Sequence, residues 1–540
     1  MPEVSFFCAM LSTLRTHNVT GYPLALLSGI LLWLAWPHTG ITALIFFAWI
    51  PLFMAEEKIN SPFGFFFVLW ATFLIWNIGT TWWIWNSTGA GAAGAIIANS
   101  LIMVFPFMAY RFTKKRLGLI TGLAAFITYW ITYEYIHHNW ELSWPWLTLG
   151  NIFATKPEWI QWYKYTGTTG GSLWVLVINA LLFHWWKSRQ TENNKGFVHI
   201  AIIGLLLLPI GIGSILYPAM NEVNPLSVGK NNVVVVQPNV EAYTEKFSTD
   251  PAILTQSLIT LSESKIDTNT RLVVWPETAI PSQAWEHEID VQPVFQPVFA
   301  FLQKHPQIQL VTGIDSYKLW SSENPGGFSI RQMQNGKNYE AFNTAMGASK
   351  DGPLQLYHKS KLVPGVESLP SWLGFMSSVF DDFGGISGSL GRAKQADVFK
   401  VKNNPYQPAP VICYESIYSD YTTEYVRAGA NIITIITNDG WWGNTAGHHQ
   451  HMNYARLRAI ETGLWIARSA NTGISCFIDP QGHIYQPQPW DTQSAIKMDI
   501  PAINKPSFYA RHGDWLSKAV SVLAAMLFLT TLLSKRLWKK

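Results

Sequence analysis

Apolar segments of membrane-spanning length fill the first 217 residues, and no other feature of the chain restricts its fold as strongly. They run near 22–37, 39–55, 62–84, 90–110, 117–137, 171–186 and 197–217, and one more, about 516–534, follows a long polar region. A helix of about twenty apolar residues crosses the hydrocarbon of a bilayer with its own backbone groups satisfied. The chain is therefore expected to form an α-helical transmembrane bundle of about eight spans. The first two spans are short, suited to a tight hairpin around Pro37-His38-Thr39-Gly40. A removable signal peptide is the rival for the first segment. Arg15 is the one basic residue close upstream and no small-residue cleavage site follows Trp36-Pro37, so a retained helix is the better reading.

Charge placement orients this bundle. Charged residues make up 13% of the chain, about half the usual share, and the formal net charge of +4 resides in clusters beside the apolar spans. Arg111, Lys114, Lys115 and Arg116 follow the fourth span; Lys187, Arg189 and Lys195 follow the sixth; Lys535, Arg536, Lys539 and Lys540 end the chain. The short loop Asn86-Ser87-Thr88-Gly89 carries none. The positive-inside rule then puts both termini in the cytoplasm and the large polar region on the extracytoplasmic side. Trp82, Trp83, Trp85, Trp140, Trp144 and Trp146 fall near outer ends, as an interfacial belt or as the lining of a lipid entrance. No basic stripe fits nucleic acid. Three scattered cysteines, Cys8, Cys413 and Cys476, make neither a disulfide framework nor a zinc site.

From about 229 to 503 the pattern changes. Short β-branched runs (232–236, 272–275, 310–313, 411–412 and 432–436) alternate with mixed segments such as 251–266 and 448–463 that read as helices. Strands apolar on both faces imply a buried sheet covered by helices, hence a layered α/β domain. The expected organisation is 1–220 transmembrane, 229–503 catalytic, and 512–540 a last span with a basic tail. Gly384-Gly385-Ile386-Ser387-Gly388-Ser389 reads as a loop, and the segment around 367–380 as a lid touching the membrane or a plain surface loop.

Three reactive side chains end strand-like runs in this region: Glu277 after Leu272-Val273-Val274-Trp275-Pro276, Lys359 after Leu356-Tyr357-His358, and Cys413 after Pro410-Val411-Ile412. A thiol attacks as thiolate, so its site must supply a base or favour charge separation. A glutamate can take the thiol proton, and a lysine can stabilise both the thiolate and the oxyanion of a tetrahedral intermediate. Singly, each residue also fits a bland role: a solvated carboxylate, a surface cation, a buried inert thiol. Their order favours acyl transfer without metal or cofactor. His448-His449 offers no complete ligand set, and there is no phosphate-binding glycine loop.

The same residues resemble the nitrilase superfamily, and with spans on both sides the chain looks like the membrane-embedded apolipoprotein N-acyltransferase branch. The similarity rests on Val235-Val236-Gln237-Pro238-Asn239, Trp275-Pro276-Glu277-Thr278, Tyr357-His358-Lys359 with Val363-Pro364 and Glu367, and Ile412-Cys413-Tyr414-Glu415. Thr437-Asn438-Asp439-Gly440-Trp441-Trp442-Gly443, His449-Gln450-His451 and Asn471-Thr472-Gly473-Ile474 extend it. The resemblance implies an αββα sandwich with Glu277 as general base, Lys359 as charge stabiliser and Cys413 as nucleophile. It implies site support from Glu367, Tyr414 and Glu415, and substrate contacts from Phe247, Trp441 and Trp442. Phe247 stands where many members carry tryptophan, and Val363-Pro364-Gly365-Val366-Glu367 departs from the usual Val-Pro-Phe-Gly-Glu. The implied partners are a phospholipid acyl donor, a diacylated lipoprotein acceptor and the inner-membrane bilayer; a monomer is expected. Two rivals stay open. A membrane-tethered amidase would pass the acyl group to water, and a transporter would need ionisable residues within spans, with Glu134 the main candidate.

Overall fold

The computed structural model describes residues 21–37, 40–188, 196–217, 231–246, 248–321, 327, 329–369 and 389–534. Cys8, Arg189, Lys195, Phe247, most of the 367–380 segment and of the Gly384–Ser389 loop, and the basic tail lie outside these residues.

Among the described residues eight α-helices precede the sandwich: α1 (Gly21–Ala35), α2 (Ile50–Lys58), α3 (Pro62–Thr81), α4 (Gly89–Ile102), α5 (Val104–Leu117), α6 (Leu119–His138), α7 (Tyr163–Ser188) and α8 (Gly196–Ile215). Side chains set several starts. Ser61 Oγ accepts the Gly64 N–H at 3.1 Å with Pro62 in the first turn of α3, and Thr88 Oγ1 accepts the Gly91 N–H at the start of α4. Among the described residues, four helical stretches are long and apolar enough to cross a membrane: Pro62–Asn86, Gly89–Leu117, Tyr163–Ser188 and Trp515–Leu533. Gly21–Ala35 and His199–Ile215 are apolar but shorter.

One expected span is broken and another is locally irregular. Residues 39–55 do not form one helix: a 3-10 turn, Thr42–Phe46, precedes α2, because Pro51 in the first turn of α2 has no N–H to continue a helix backwards. Asn179 of α7 satisfies the exposed backbone of this break. Its Nδ2 donates to the Ile45 carbonyl at 2.9 Å, and its Oδ1 accepts the Trp49 N–H at 3.1 Å. The expected 90–110 span lies within one helical stretch, Gly89–Leu117, with a single irregular residue, Met103, between α4 and α5, where Pro106 cannot bond the carbonyl four residues before it.

Among the described residues thirteen strands form two sheets. The larger has the order β13 (Ser494–Asp499), β1 (Asn232–Gln237), β2 (Thr270–Val274), β4 (Gln309–Trp320), β6 (Asn338–Ser349) and β5 (Arg331–Gln332). In it β3 (Ile280–Trp285) pairs β4, and β7 (Gln355–His358) pairs β6. The smaller has the order β12 (Ile484–Tyr485), β11 (Cys476–Ile478), β10 (Ile466–Ala470), β9 (Ile432–Thr437) and β8 (Pro408–Ile412). Strands β1, β2 and β4 run parallel, as do β8, β9 and β10.

The period of two divides the core. Val234, Val236, Val273 and Leu310 meet α9 (Pro251–Glu263) and α10 (Gln296–Lys304) on the outer face. Val233, Val235, Leu272 and Val311 face the second sheet's Val411, Ile433 and Ile435. The result is the expected nitrilase-like α/β sandwich, its far face covered by α11 (Ser419–Arg427) and α12 (Ala446–Thr462).

The inner cluster does not stop at the sandwich; it runs without a break into the membrane helices. Helix α12 is the hinge of that continuity, buried along almost its whole length. Trp36 Nε1 donates to Tyr454 Oη, which donates to the Trp146 carbonyl; Trp146 Nε1 donates to Gln450 Oε1, and Gln450 Nε2 donates to the Thr80 carbonyl. After α13 (Phe508–His512), the last helix α14 (Trp515–Leu533) returns against α6 and α7. Its Asp514 cap accepts the Thr169 hydroxyl at 3.0 Å. Glu134 is buried in the bundle with its Oε1 accepting Trp130 Nε1 and the Leu149 N–H, so it is committed to local structure.

Candidate active site

Glu277, Lys359 and Cys413 each stand just beyond the C-terminal end of a strand: β2, β7 and β8 respectively. They are 6%, 1% and 7% exposed, so the fold has withdrawn three reactive groups from bulk water. Lys359 Nζ donates to Glu367 Oε1 at 2.9 Å and to Glu277 Oε1 at 3.3 Å. Asn343 of β6 bridges the same two carboxylates, its Nδ2 donating at 2.7 Å to Glu277 and 3.0 Å to Glu367. Glu277 Oε2 accepts the Asn438 N–H at 3.0 Å, and Glu367 Oε2 accepts the Val363 N–H at 2.8 Å. Glu367 thus joins the ion pair directly.

Cys413 takes φ +47°, a left-handed conformation uncommon for a side chain with a Cβ. A buried network stands behind it. Ser416 Oγ donates to the Cys413 carbonyl at 2.7 Å, and His451 Nε2 lies 2.8 Å from Ser416 Oγ and 3.2 Å from that carbonyl. His451 Nδ1 contacts Asp439 Oδ1 at 2.9 Å, and Arg468 Nη2 donates to Asp439 Oδ2 at 2.7 Å. Strain of this kind persists only where surrounding contacts over-determine it.

The charges are uneven in a useful way. Burial pushes the Cys413 thiol well up, and the Glu277 carboxylate adds to this against the pull of Lys359. Burial also works against the Glu277 charge, but Lys359, Lys246 and the Asn343 hydrogen bond outweigh it and hold that carboxyl below its ordinary range. Burial works against the Lys359 ammonium as well, and Glu367, Glu277 and Cys413 overcome it and raise its pKa. The resting arrangement is a thiol beside an ionised carboxylate and a fixed cation.

Glu415 lies beneath the site as a fully buried anchor. Its carboxylate accepts Tyr357 Oη at 2.7 Å, Tyr425 Oη at 2.9 Å, the Ser360 N–H at 2.7 Å and the Ile412 N–H at 2.9 Å. Tyr414 points the other way, and its hydroxyl donates to the Ser143 carbonyl in the loop after α6 at 3.0 Å. Trp442 packs between Trp83 and Trp146, centroids at 4.8 and 5.7 Å, and Trp441 stands edge-on to Tyr243 at 5.0 Å. Both tryptophans sit where membrane loops meet the sandwich. Phe247 lies outside the described residues.

Sequence reasoning missed Asn343, Lys246 and the roles of Asp439, His451 and Arg468. Asp439 and His451 fall inside recognisable motif stretches. Asn343, in Glu340-Ala341-Phe342-Asn343-Thr344, gives no local sign that it reaches two distant carboxylates.

This chain belongs to the carbon-nitrogen hydrolase family, whose sequence model matches residues 232–503, just over half of the chain. A second model, the apolipoprotein N-acyltransferase N-terminal domain, matches residues 28–181. The apolipoprotein N-acyltransferase of Chlorobaculum tepidum is 29% identical over 95% of this chain and 97% of its own. That of Geobacter metallireducens is 25% identical over 94% of this chain and 95% of its own. The resemblance drawn from the motifs is borne out along nearly the whole length.

Proposed function

We propose that the protein is an acyltransferase of lipoprotein maturation, moving an acyl chain from a membrane phospholipid to the α-amino group of an N-terminal diacylglyceryl-cysteine. The observation that carries this reading is the enclosure of the Glu277–Lys359–Cys413 group in a sandwich whose apolar core is continuous with the membrane helices. Its relatives in Chlorobaculum tepidum and Geobacter metallireducens, both apolipoprotein N-acyltransferases, support it. Glu277 is the general base, Lys359 the charge stabiliser and Cys413 the nucleophile; Glu367, Tyr414 and Glu415 support them, and Trp441 and Trp442 flank the lipid path.

The reaction runs in two halves. Glu277 takes the Cys413 proton as the thiolate attacks the ester carbonyl, and Lys359 stabilises the oxyanion. Collapse breaks the ester C–O bond; the departing lysophospholipid alkoxide recovers the proton from Glu277, and a thioester remains. The neutral amine of the acceptor then attacks the thioester and gives its proton to Glu277. The C–S bond breaks, and the thiolate is reprotonated. An amide is more stable than a thioester, so the second half runs forward without a nucleotide.

The topology belongs to the same proposal: about eight spans in residues 1–220 and 512–540, both termini cytoplasmic, and the 229–503 domain on the outer face of a bacterial inner membrane. Arg111, Lys114 and Lys187 gather with Glu56 and Glu57 at the bundle end away from the sandwich, as the positive-inside rule requires. Both substrates are held by acyl chains, so a site fixed against the bilayer replaces a search through solvent by lateral access.

Intact mass after incubation with a defined phospholipid tests the reading. Wild type should gain a hydroxylamine-labile acyl group that Cys413→Ala does not, and a diacylated N-terminal-cysteine peptide should discharge it as amide. Discharge by water as fast as by peptide would favour the membrane-tethered amidase instead.

A further inference from the structure

A second lysine is buried at the same site. Lys246 closes a turn that follows β1, its N–H bonded to the Glu241 carbonyl, and is 3% exposed. Its Nζ donates to the backbone carbonyl of Glu277 at 3.1 Å. Lys359 is matched by two carboxylates in direct contact, whereas this bond of Lys246 goes to a neutral oxygen. Within the same turn the Tyr243 hydroxyl touches the membrane domain at the Asn86 carbonyl, 2.8 Å away, and the sandwich's own Trp441 carbonyl at 3.0 Å. One six-residue turn therefore spans from the outer end of a membrane helix hairpin to the main chain of the general base.

We infer that Lys246 is a positioning residue of this active site: it fixes Glu277 through its carbonyl and holds a second positive charge beside the Glu277–Cys413 pair. The inference deepens the acyl-transfer reading and rests on it for the roles of Glu277 and Cys413. An ammonium there keeps the carboxylate ionised while the thiol is intact and stabilises the thiolate as it forms. Glu277 beyond β2, Asp315 on β4 and Cys413 beyond β8 are the groups whose charges it feels. Burial without a direct carboxylate partner among the described residues brings its own pKa down to about 8, against the favourable pull of those three groups. The second cation is thus present at neutral pH and withdrawn in mild alkali. Lys359, raised by its carboxylates, keeps its charge throughout.

Alkylation of Cys413 by iodoacetamide, followed by mass spectrometry on the full chain in lipid nanodiscs, reads this without any acyl donor. The wild-type rate should climb with pH and then break near pH 8, where Lys246 loses its proton. Lys246→Met should react about tenfold more slowly at neutral pH, the effect of about one pKa unit on the thiol, and climb without the break. Lys246→Arg, always charged, should match wild type at neutral pH and also lack the break. A residue that merely braces the turn would lower Tm in both variants and leave the pH profile unmoved. A wild-type profile with no break, or a break retained in Lys246→Arg, overturns the inference even if the methionine variant does not fold. Wild-type protein that alkylates in this pattern yet takes no acyl group from phospholipid would defeat the transferase reading and leave the role of Lys246 standing.

Discussion

Glu415 accepts a 2.7 Å hydrogen bond from Tyr357, and this contact joins the two sheets at the candidate site. Glu415 is two residues beyond Cys413 at the end of β8 in the smaller sheet; Tyr357 is two residues before Lys359 on β7 in the larger. The same carboxylate holds the N–H groups of Ile412 and Ser360, so it grips both strand ends within a residue or two of the reactive side chains. The placement of Cys413 and Lys359 relative to one another depends on one buried carboxyl group.

Glu415→Gln should therefore damage stability and activity together. An amide turns two donors toward a pocket built from donors, and each buried group left unpaired costs about 1–3 kcal/mol. We expect a fall of about 2–4 kcal/mol in unfolding free energy and loss of Cys413 acylation by more than about a hundredfold. Thermal unfolding in detergent and intact-mass acylation measure the two effects. A fully stable, active variant would show that the Tyr357 contact is incidental.

Asn343→Leu should separate activity from folding. The amide donates to both Glu277 and Glu367, and hydrogen bonds to charged groups contribute about 1.5–3 kcal/mol. Loss of that alignment should lower the acylation rate by about ten- to a hundredfold, with Tm changed by only a few degrees. Wild-type single-turnover rates in the variant would remove Asn343 from the site.

The pH response of stability follows from Glu277. Its carboxyl is held below the ordinary value of 4.5 in the folded protein, so the native state binds protons more weakly there than the unfolded chain does. The stability this supplies is complete above that ordinary value and is lost as pH falls through the lower folded pKa. The Tm gap between wild type and Glu277→Gln should accordingly be constant near neutrality and narrow in acid. A gap that widens in acid would reverse the sign of the argument.

The 231–503 segment produced alone should not behave as a soluble domain. Its α12 side chains Tyr454 and Gln450, with Trp442 beside them, are covered by Trp36, Trp83 and Trp146 of the membrane half. Exposed together they make an apolar patch of the kind that drives association. Size exclusion should show aggregates, and dye-binding fluorescence should exceed that of the full chain. A monodisperse fragment with buried Trp442 would mean that the sandwich closes this face by itself.

Much of this protein was legible in one dimension because the periods are strong. Long apolar runs fix α3 and α14 as membrane-length helices, since few other environments accept them. Apolar runs of four to six residues marked β1, β2 and β9, and the three reactive side chains ended such runs. Local chemistry also blurred two expectations. Pro51 breaks, and Pro106 locally perturbs, a segment that hydropathy alone would draw as a regular helix, because hydropathy averages over a missing N–H.

What only the tertiary structure decided is how groups far apart in the chain meet. Asn343 reaches Glu277 across 66 residues, and Lys359 reaches the same carboxylate across 82. Lys246 bonds the carbonyl of a residue 31 positions away, and Trp36 meets Tyr454 across 418. A hydrogen bond of 3 Å leaves no trace in spacing when its partners arrive on different strands or from different halves of the molecule. Period and motif determined which elements form and which side chains can react. Sheet order, together with the core shared between sandwich and membrane helices, determined which buried charges face one another, because burial makes an ionised group depend on the partners the fold brings to it.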